Sequence, residues 1–131
     1  MALQIPPNCD LTLGLVCVDK ATPGVSTWQM RADERFANPA GFVQGGFVAA
    51  ALDSAMGASA VSAQAGRRVF VANTEMKVSF VRPARVGSTL RVIATVLKSG
   101  KVICFVEAKV FDDAQELIAT ASSTYLVRER R

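Results

Sequence analysis

From Val69 onward the chain alternates apolar and polar positions with a period of two, and immediately upstream lies a long stretch that does not alternate at all. Successive side chains of a strand point to opposite faces, so Val69–Val81, Thr89–Ser99, Lys101–Asp112 and Gln115–Val127 are predicted as four long strands. Pro83 to Ser88, Ser99-Gly100-Lys101 and Asp112-Asp113-Ala114 supply the turns between them. Such short connections make consecutive strands antiparallel hairpins. Nearer the N-terminus, Leu11–Val18 and Val25–Arg31 flank the turn Thr22-Pro23-Gly24 and predict two more strands, with a helical turn over Asp33–Phe36.

The stretch that does not alternate, Gly45–Ala65, reads as a helix of Ala, Gly, Ser, Val and Phe that is apolar on nearly every side. Gly66, Arg67 and Arg68 follow it as a stop signal and a charge that suits the helix dipole. A helix apolar all round has to be covered all round, and a sheet wrapped about it does so. The predicted architecture is therefore α+β, one long central helix wrapped by an antiparallel sheet.

One charge, Asp53, interrupts the sequence between Phe36 and Gly66. In a helix expected to be buried, a carboxylate is costly without a specific need for it. The helix is entered through Asn38, Pro39, Gly41, Gln44, Gly45 and Gly46, a tight loop whose glycines leave backbone N–H groups free to hold an anion or a polarised carbonyl. An oxyanion site and a lone carboxylate together point to acyl chemistry. The bland readings are close packing for the two glycines and a hydrogen-bonded structural role for Asp53.

A length of 131 residues fits a single domain, 1–131, and no internal repeat or linker divides it. At 50% hydrophobic and 20% charged residues the chain is slightly greasier than average, which predicts a buried subunit interface. The net charge of +4 is scattered over Arg67, Arg68, Arg82, Arg85, Lys98, Lys101, Arg128, Arg130 and Arg131 rather than gathered into a face with interleaved aromatics. That argues against nucleic acid and for a phosphorylated small molecule. Cys9, Cys17 and Cys104 have neither paired nor zinc spacing and read as reduced thiols of a cytoplasmic protein. The N-terminus has no basic segment followed by an apolar core, so no signal peptide is expected, and Asp53 among Ala, Ser and Gly argues against a membrane span. The chain contains no histidine, which excludes Ser-His-Asp and Cys-His machinery and histidine-zinc sites, and no metal is expected. Neither G-x-S-x-G nor a P-loop is present.

Asn38-x-x-Gly41-x-x-Gln44-Gly45-Gly46, then Asp53, then Thr74-Glu75-Met76-Lys77-Val78-x-Phe80-x-Arg82-Pro83-Ala84 resembles the hotdog-fold thioesterases of the phenylacetate-degradation type, in the 4-hydroxybenzoyl-CoA thioesterase superfamily. The resemblance runs from Asn38 to the C-terminus, with one departure: Gln44 stands where that family often has histidine. It implies an acyl-CoA thioesterase acting on a short, medium or aromatic acyl group, with no cofactor apart from the coenzyme A of the substrate. It assigns the thioester carbonyl to the Gly45 N–H and the site to a dimer interface. It also matches Asn73 and Thr74 to the region where relatives carry a Ser or Thr that holds the water or carboxylate, and Arg82, Arg85 and Lys101 to turns that meet coenzyme A phosphates.

Several features can be read from the residues themselves. Asp53 lies eight positions beyond Gly45, about 12 Å along a helix, too far to serve a carbonyl held at its own helix N-terminus. Two antiparallel chains, each lending Asp53 to its neighbour's Gly45, resolve this, so a homodimer at minimum is expected; the family resemblance extends the expectation to a dimer-of-dimers tetramer. Asp53 would act as nucleophile or as general base. Strand periodicity admits only one of Asn73 and Thr74 to the inner face. Gln44 can donate a hydrogen bond but cannot shuttle a proton. Asn38 orients the loop or donates to Asp53 across the dimer, and is also an ordinary turn residue. Phe42, Phe47 and Met56 are candidates for the acyl pocket and equally for the core. The rival functions are a non-catalytic acyl-CoA or aromatic-acid binder that has lost the motif histidine, and a hydratase, which the absence of histidine disfavours.

Overall fold

The computed structural model describes residues 3–130, so Arg131 of the basic tail lies outside them. A short helix α1 (Asn8–Leu13) precedes strands β1 (Val16–Asp19) and β2 (Val25–Arg31), a 3-10 turn (Glu34–Phe36) and the long helix α2 (Gly45–Ser62). Strands β3 (Val69–Phe80), β4 (Thr89–Ser99), β5 (Ile103–Phe111) and β6 (Leu117–Glu129) follow. All six strands form one sheet in the order β1-β2-β4-β5-β6-β3, with every neighbouring pair antiparallel.

The predicted strand over Leu11–Val18 is corrected: its first part is helical. Gly14 adopts a left-handed φ of 69° and donates its N–H to the carbonyls of Asp10 and Leu11, closing α1 before β1 begins. The alternating leucines are thus split by a helix cap, and Leu13 and Leu15 reach the core from either side of it. Helix α2 also ends earlier than predicted, at Ser62. There the Ser62 hydroxyl donates to the Ser59 carbonyl at 3.0 Å and accepts the Gly24 N–H at 2.9 Å, which ties the helix end to the β1–β2 turn. Lys101 and Val102 belong to the hairpin rather than to β5.

Val48, Ala51, Leu52, Ala55, Met56, Ser59 and Ala60 form the buried side of α2, the three-and-four spacing of one helical face. They pack on Met30, Leu90, Val92, Val106, Val110 and their neighbours from the inner sides of the strands. Burying a side chain such as Leu52 or Met56 completely stabilises the fold by about 2–3 kcal/mol. The sheet covers only this side. Gly46, Asp53 and Val61 are exposed, and Ala49, Ala50, Ser54, Gly57 and Ala58 are partly so. The expectation of a buried Asp53 is therefore corrected for the single chain. Alanine and glycine count as apolar in a sequence pattern but do not require burial, so they disguise an open side as part of a core.

The sheet's edges are unequal. β1 is four residues long, whereas β3 presents twelve. Among the described residues no helix is long and apolar enough to cross a membrane.

Candidate active site

The loop before α2 is organised by its own asparagine. Asn38 Oδ1 accepts the N–H groups of Ala40 at 2.9 Å and Phe42 at 3.1 Å, and its backbone N–H donates to the Phe42 carbonyl at 2.7 Å. Gly41, at φ 85°, donates to the Asn38 carbonyl at 3.0 Å. The turn role anticipated for Asn38 is thus present, with the side-chain oxygen committed to the loop. Gln44 occupies the N-cap of α2, its backbone N–H bonded to the Phe36 carbonyl at 2.8 Å and its side chain exposed without capping the helix. Gly45 and Gly46 then open the helix, where first-turn N–H groups have no carbonyl one turn back within the helix.

These two glycines have different surroundings. A Cβ on Gly45 would stand 2.9 Å from Cζ of the Phe80 ring, the far end of an exposed side chain, so a larger residue there would push that ring aside. Around Gly46 the nearest such atom is Gln44 Oε1 at 3.8 Å. Phe80 and Gly45, together with Asn38, Phe42, Arg82 and Ile118, line a cleft of about 360 Å³ beside the helix N-terminus. Of the three acyl-pocket candidates only Phe42 lines it. Phe47 stacks on Phe36 with ring centres 4.5 Å apart, and Met56 is fully buried in the core.

Arg82 reaches this cleft while donating to the Leu117 carbonyl at 3.1 Å and pairing with Glu116 at 3.4 Å. Exposed Arg85 lies close by, its backbone bridged to Phe42. Lys101 sits elsewhere, beside Ala63, Gln64 and Arg67 at the far end of α2. The 18 residues of α2 span about 27 Å, so one chain does not bring Lys101 to the two arginines.

Asp53 stands midway along the open side of α2. Its Oδ1 accepts a hydrogen bond from Asn73 Nδ2 at 3.0 Å and lies 2.6 Å from the Tyr125 hydroxyl. Asn73 Nδ2 is also 3.1 Å from Ser123 Oγ and 3.3 Å from the Tyr125 oxygen. Asn73 and Tyr125 are direct partners across β3 and β6, and the register shifts between Asn73 and Glu75. Asn73 continues the inward alternation of Val69 and Val71 and faces the helix, whereas Thr74 is the extra residue of the bulge, its hydroxyl spent on the Thr124 carbonyl at 2.8 Å. Among the described residues Asn73 Oδ1 is buried without a partner.

Tyr125 was missed by sequence reasoning. Burial first, then the hydrogen bond and negative charge of Asp53, hold its hydroxyl well above the usual tyrosine range, so it stays protonated. Its sequence signal is faint: it is the one tyrosine of the chain, on an inward position of β6, 72 residues from Asp53. Asp53 and the Gly45 cleft are not brought together within one chain.

The thioesterase superfamily model matches residues 40–119, more than half of the chain. The chain belongs to the thioesterase superfamily. It is 26% identical over 118 residues to human acyl-coenzyme A thioesterase 13, covering 89% of this chain and 83% of that one. Among solved structures, a phenylacetic acid degradation-related protein from Ralstonia eutropha JMP134 is 31% identical, with a TM-score of 0.79 over 92% of this chain and 89% of that one. A Streptococcus mutans UA159 protein bound to acetyl CoA shares the fold at a TM-score of 0.82 and 18% identity, over 89% and 90% of the two chains. The long helix against an antiparallel sheet is the hotdog fold, and the protein is a thioester hydrolase of that family, similar to the phenylacetate-degradation type.

Proposed function

We propose that this thioesterase hydrolyses acyl-CoA thioesters carrying a short, medium or aromatic acyl group, at a site completed by two chains. The observation that carries the reading is the Asp53 carboxylate, held by donors on one oxygen and open on the other, on the uncovered side of α2. The human relative named an acyl-coenzyme A thioesterase and the acetyl CoA in the Streptococcus mutans protein support this substrate class.

The dimer reading is supported by the same open side. Gly46, Ala49, Ala50 and Gly57 flank Asp53 with small side chains that let a second helix approach, and the twelve-residue β3 offers an edge for pairing. Under two-fold symmetry Asp53 of one chain meets Gly45 of the other, twice. Exposed Phe70, Ile103 and Phe105 on the outer face of the sheet favour a further association into a dimer of dimers.

In this site the carbonyl oxygen accepts the Gly45 N–H at the positive end of α2, and exposed Gln44 offers a second donor. Asp53 either takes a proton from the water attacking the carbonyl carbon or attacks it directly, forming a mixed anhydride that water then opens. The tetrahedral intermediate collapses, the C–S bond breaks, and coenzyme A leaves as a thiolate that takes up a proton. Arg82 and Arg85 face its phosphates beside the cleft. The free cysteines favour a cytoplasmic location.

Acetyl-CoA, hexanoyl-CoA and benzoyl-CoA incubated with the protein and a thiol reagent test the reading. Free thiol released above background is expected from at least one, and none from all three overturns it. The exposed Gln44 in place of a histidine keeps one rival in view: tight binding without turnover, indifferent to Asp53→Asn, identifies a binder.

A further inference from the structure

We infer that Tyr125 is a positioning residue for the hydrolysis: its hydroxyl, together with the Asn73 amide, grips Oδ1 of Asp53 and presents Oδ2 to the reacting carbonyl. This rests on the catalytic reading of Asp53 and deepens it.

A hydroxyl has one proton to give, and two acceptors stand near that of Tyr125, Asp53 Oδ1 at 2.6 Å and the Asp53 main-chain carbonyl at 2.9 Å. The shorter contact and the charge of the acceptor direct the proton to the carboxylate. Asn73 Nδ2 has two protons, and Asp53 Oδ1 at 3.0 Å and Ser123 Oγ at 3.1 Å receive them. Both donors thus converge on one oxygen, and among the described residues no donor reaches Oδ2.

The grip comes from the rigid part of the molecule. β6 is paired on both sides, with β5 and with β3, and Tyr125 is only 2% exposed, so its hydroxyl is fixed relative to the sheet. Asp53, by contrast, projects from the open side of α2, where an unheld carboxylate would turn freely in water. The glycine at 57, one turn beyond Asp53, leaves the Tyr125 ring in ordinary contact beneath the helix; a Cβ there would stand 3.7 Å from Cε1. Burial and the anionic neighbour keep the hydroxyl protonated, the only form that can donate. Cys104, whose thiol is also pushed up by burial, is the other titratable group near the ring. Tyr125 transfers no proton; it fixes where the reacting oxygen stands.

Tyr125→Phe, Asp53→Asn and the double variant, assayed on acetyl-CoA, hexanoyl-CoA and benzoyl-CoA, test the inference. Misplacement of a reacting group by an ångström slows reaction by up to about 100-fold, so Tyr125→Phe should lower kcat by about 10–100-fold with KM within about 2-fold. The double variant should be no slower than Asp53→Asn alone, because the tyrosine acts only through the carboxylate. Full kcat in Tyr125→Phe beside an inactive Asp53→Asn overturns the inference and leaves the catalytic reading standing. Full activity in Asp53→Asn overturns the catalytic reading instead. A second measurement requires neither turnover nor a folded Tyr125→Phe: the chain has one tyrosine, so tyrosinate absorbance reports Tyr125 alone. Burial, the larger cause, remains in Asp53→Asn, but the hydrogen bond and negative charge of the carboxylate are lost, so the tyrosine should ionise at lower pH than in the parent. An unchanged titration in two proteins that circular dichroism shows still folded at those pH values overturns the inference.

Discussion

Helix α2 carries two polar clusters that face the sheet differently, and the contrast between them separates structure from chemistry. At Ser59 everything is enclosed: Ser26 Oγ and Ser59 Oγ are 2.7 Å apart, with the Ala55 and Ala94 carbonyls each at 3.1 Å and Trp28 Nε1 donating to Ser26 at 2.8 Å. Ser26 and Ser59 are almost wholly buried, and each of the cluster's three donors has an acceptor. At Asp53, less than two turns away, the cluster is half open. Among the described residues one carboxylate oxygen is held, the other has no donor, and Asn73 Oδ1 is buried without a partner. A network that uses all its capacity stabilises a packing arrangement, while one with capacity left over has room for a substrate or a water.

The largest effect should come from the open cluster. Asp53→Ala is expected to lower hydrolysis by about 10³-fold or more. The exposed position predicts a melting temperature within a few degrees of the parent. A folded variant with undiminished turnover would merge the two clusters into one structural class.

Next in size is a test of whether the open cluster is completed by a second chain. Gly45→Leu and Asp53→Ala proteins, each inactive, should regain about a quarter of parental activity when mixed equally and allowed to exchange subunits. Half of the resulting dimers are mixed, and each contains one site with both of its parts intact. No recovery despite demonstrated exchange would place the site within one chain. Gly45→Leu must displace the Phe80 ring, so its fold should first be checked by circular dichroism.

The closed cluster should respond in the opposite currency. Ser59→Ala removes the hydroxyl that links Ser26 to the Ala94 carbonyl inside the enclosed cluster and should cost about 0.5–1.5 kcal/mol in urea unfolding. Turnover by the folded protein should not change. A large loss of kcat would mean that the enclosed serines communicate with the site.

Gln44→His should have the smallest effect, within about threefold in kcat/KM, because either side chain can donate to a carbonyl. A new pH dependence near neutrality would show that proton transfer, not hydrogen bonding, is at issue at this position.

The contrast also marks how far the sequence can be read. Period-two alternation and turn residues are local, so the four C-terminal strands and their hairpins are legible from them. So is the helix opened by Gly45 and Gly46, and Asp53 is conspicuous as its lone charge. The motif residues sufficed for the family. Alanine and glycine conceal the open side of α2, because hydropathy does not distinguish a small residue that is buried from one that merely permits approach.

Other features were decided only by tertiary structure. Gly14 turned the first leucines into a helix by adopting a left-handed conformation that alternation does not reveal. The bulge after Asn73 shifted the phase of β3, so that Met76 and Val78 rather than Glu75 and Lys77 turn toward the core, and strand counting has no access to an inserted residue. Phe42 and Met56 look alike as candidates, yet helix phase and loop path send one to the cleft and the other to the core. Lys101 is separated from Arg82 and Arg85 by the length of α2, a distance invisible in a list of basic residues. Tyr125 meets Asp53 across 72 positions only because β6 pairs with β3 in one register beneath α2. Local pattern determines which elements form, because it acts through the spacing of neighbours along the chain. Which side chains meet depends on register and packing between distant segments, and that is where the grip on the carboxylate arises.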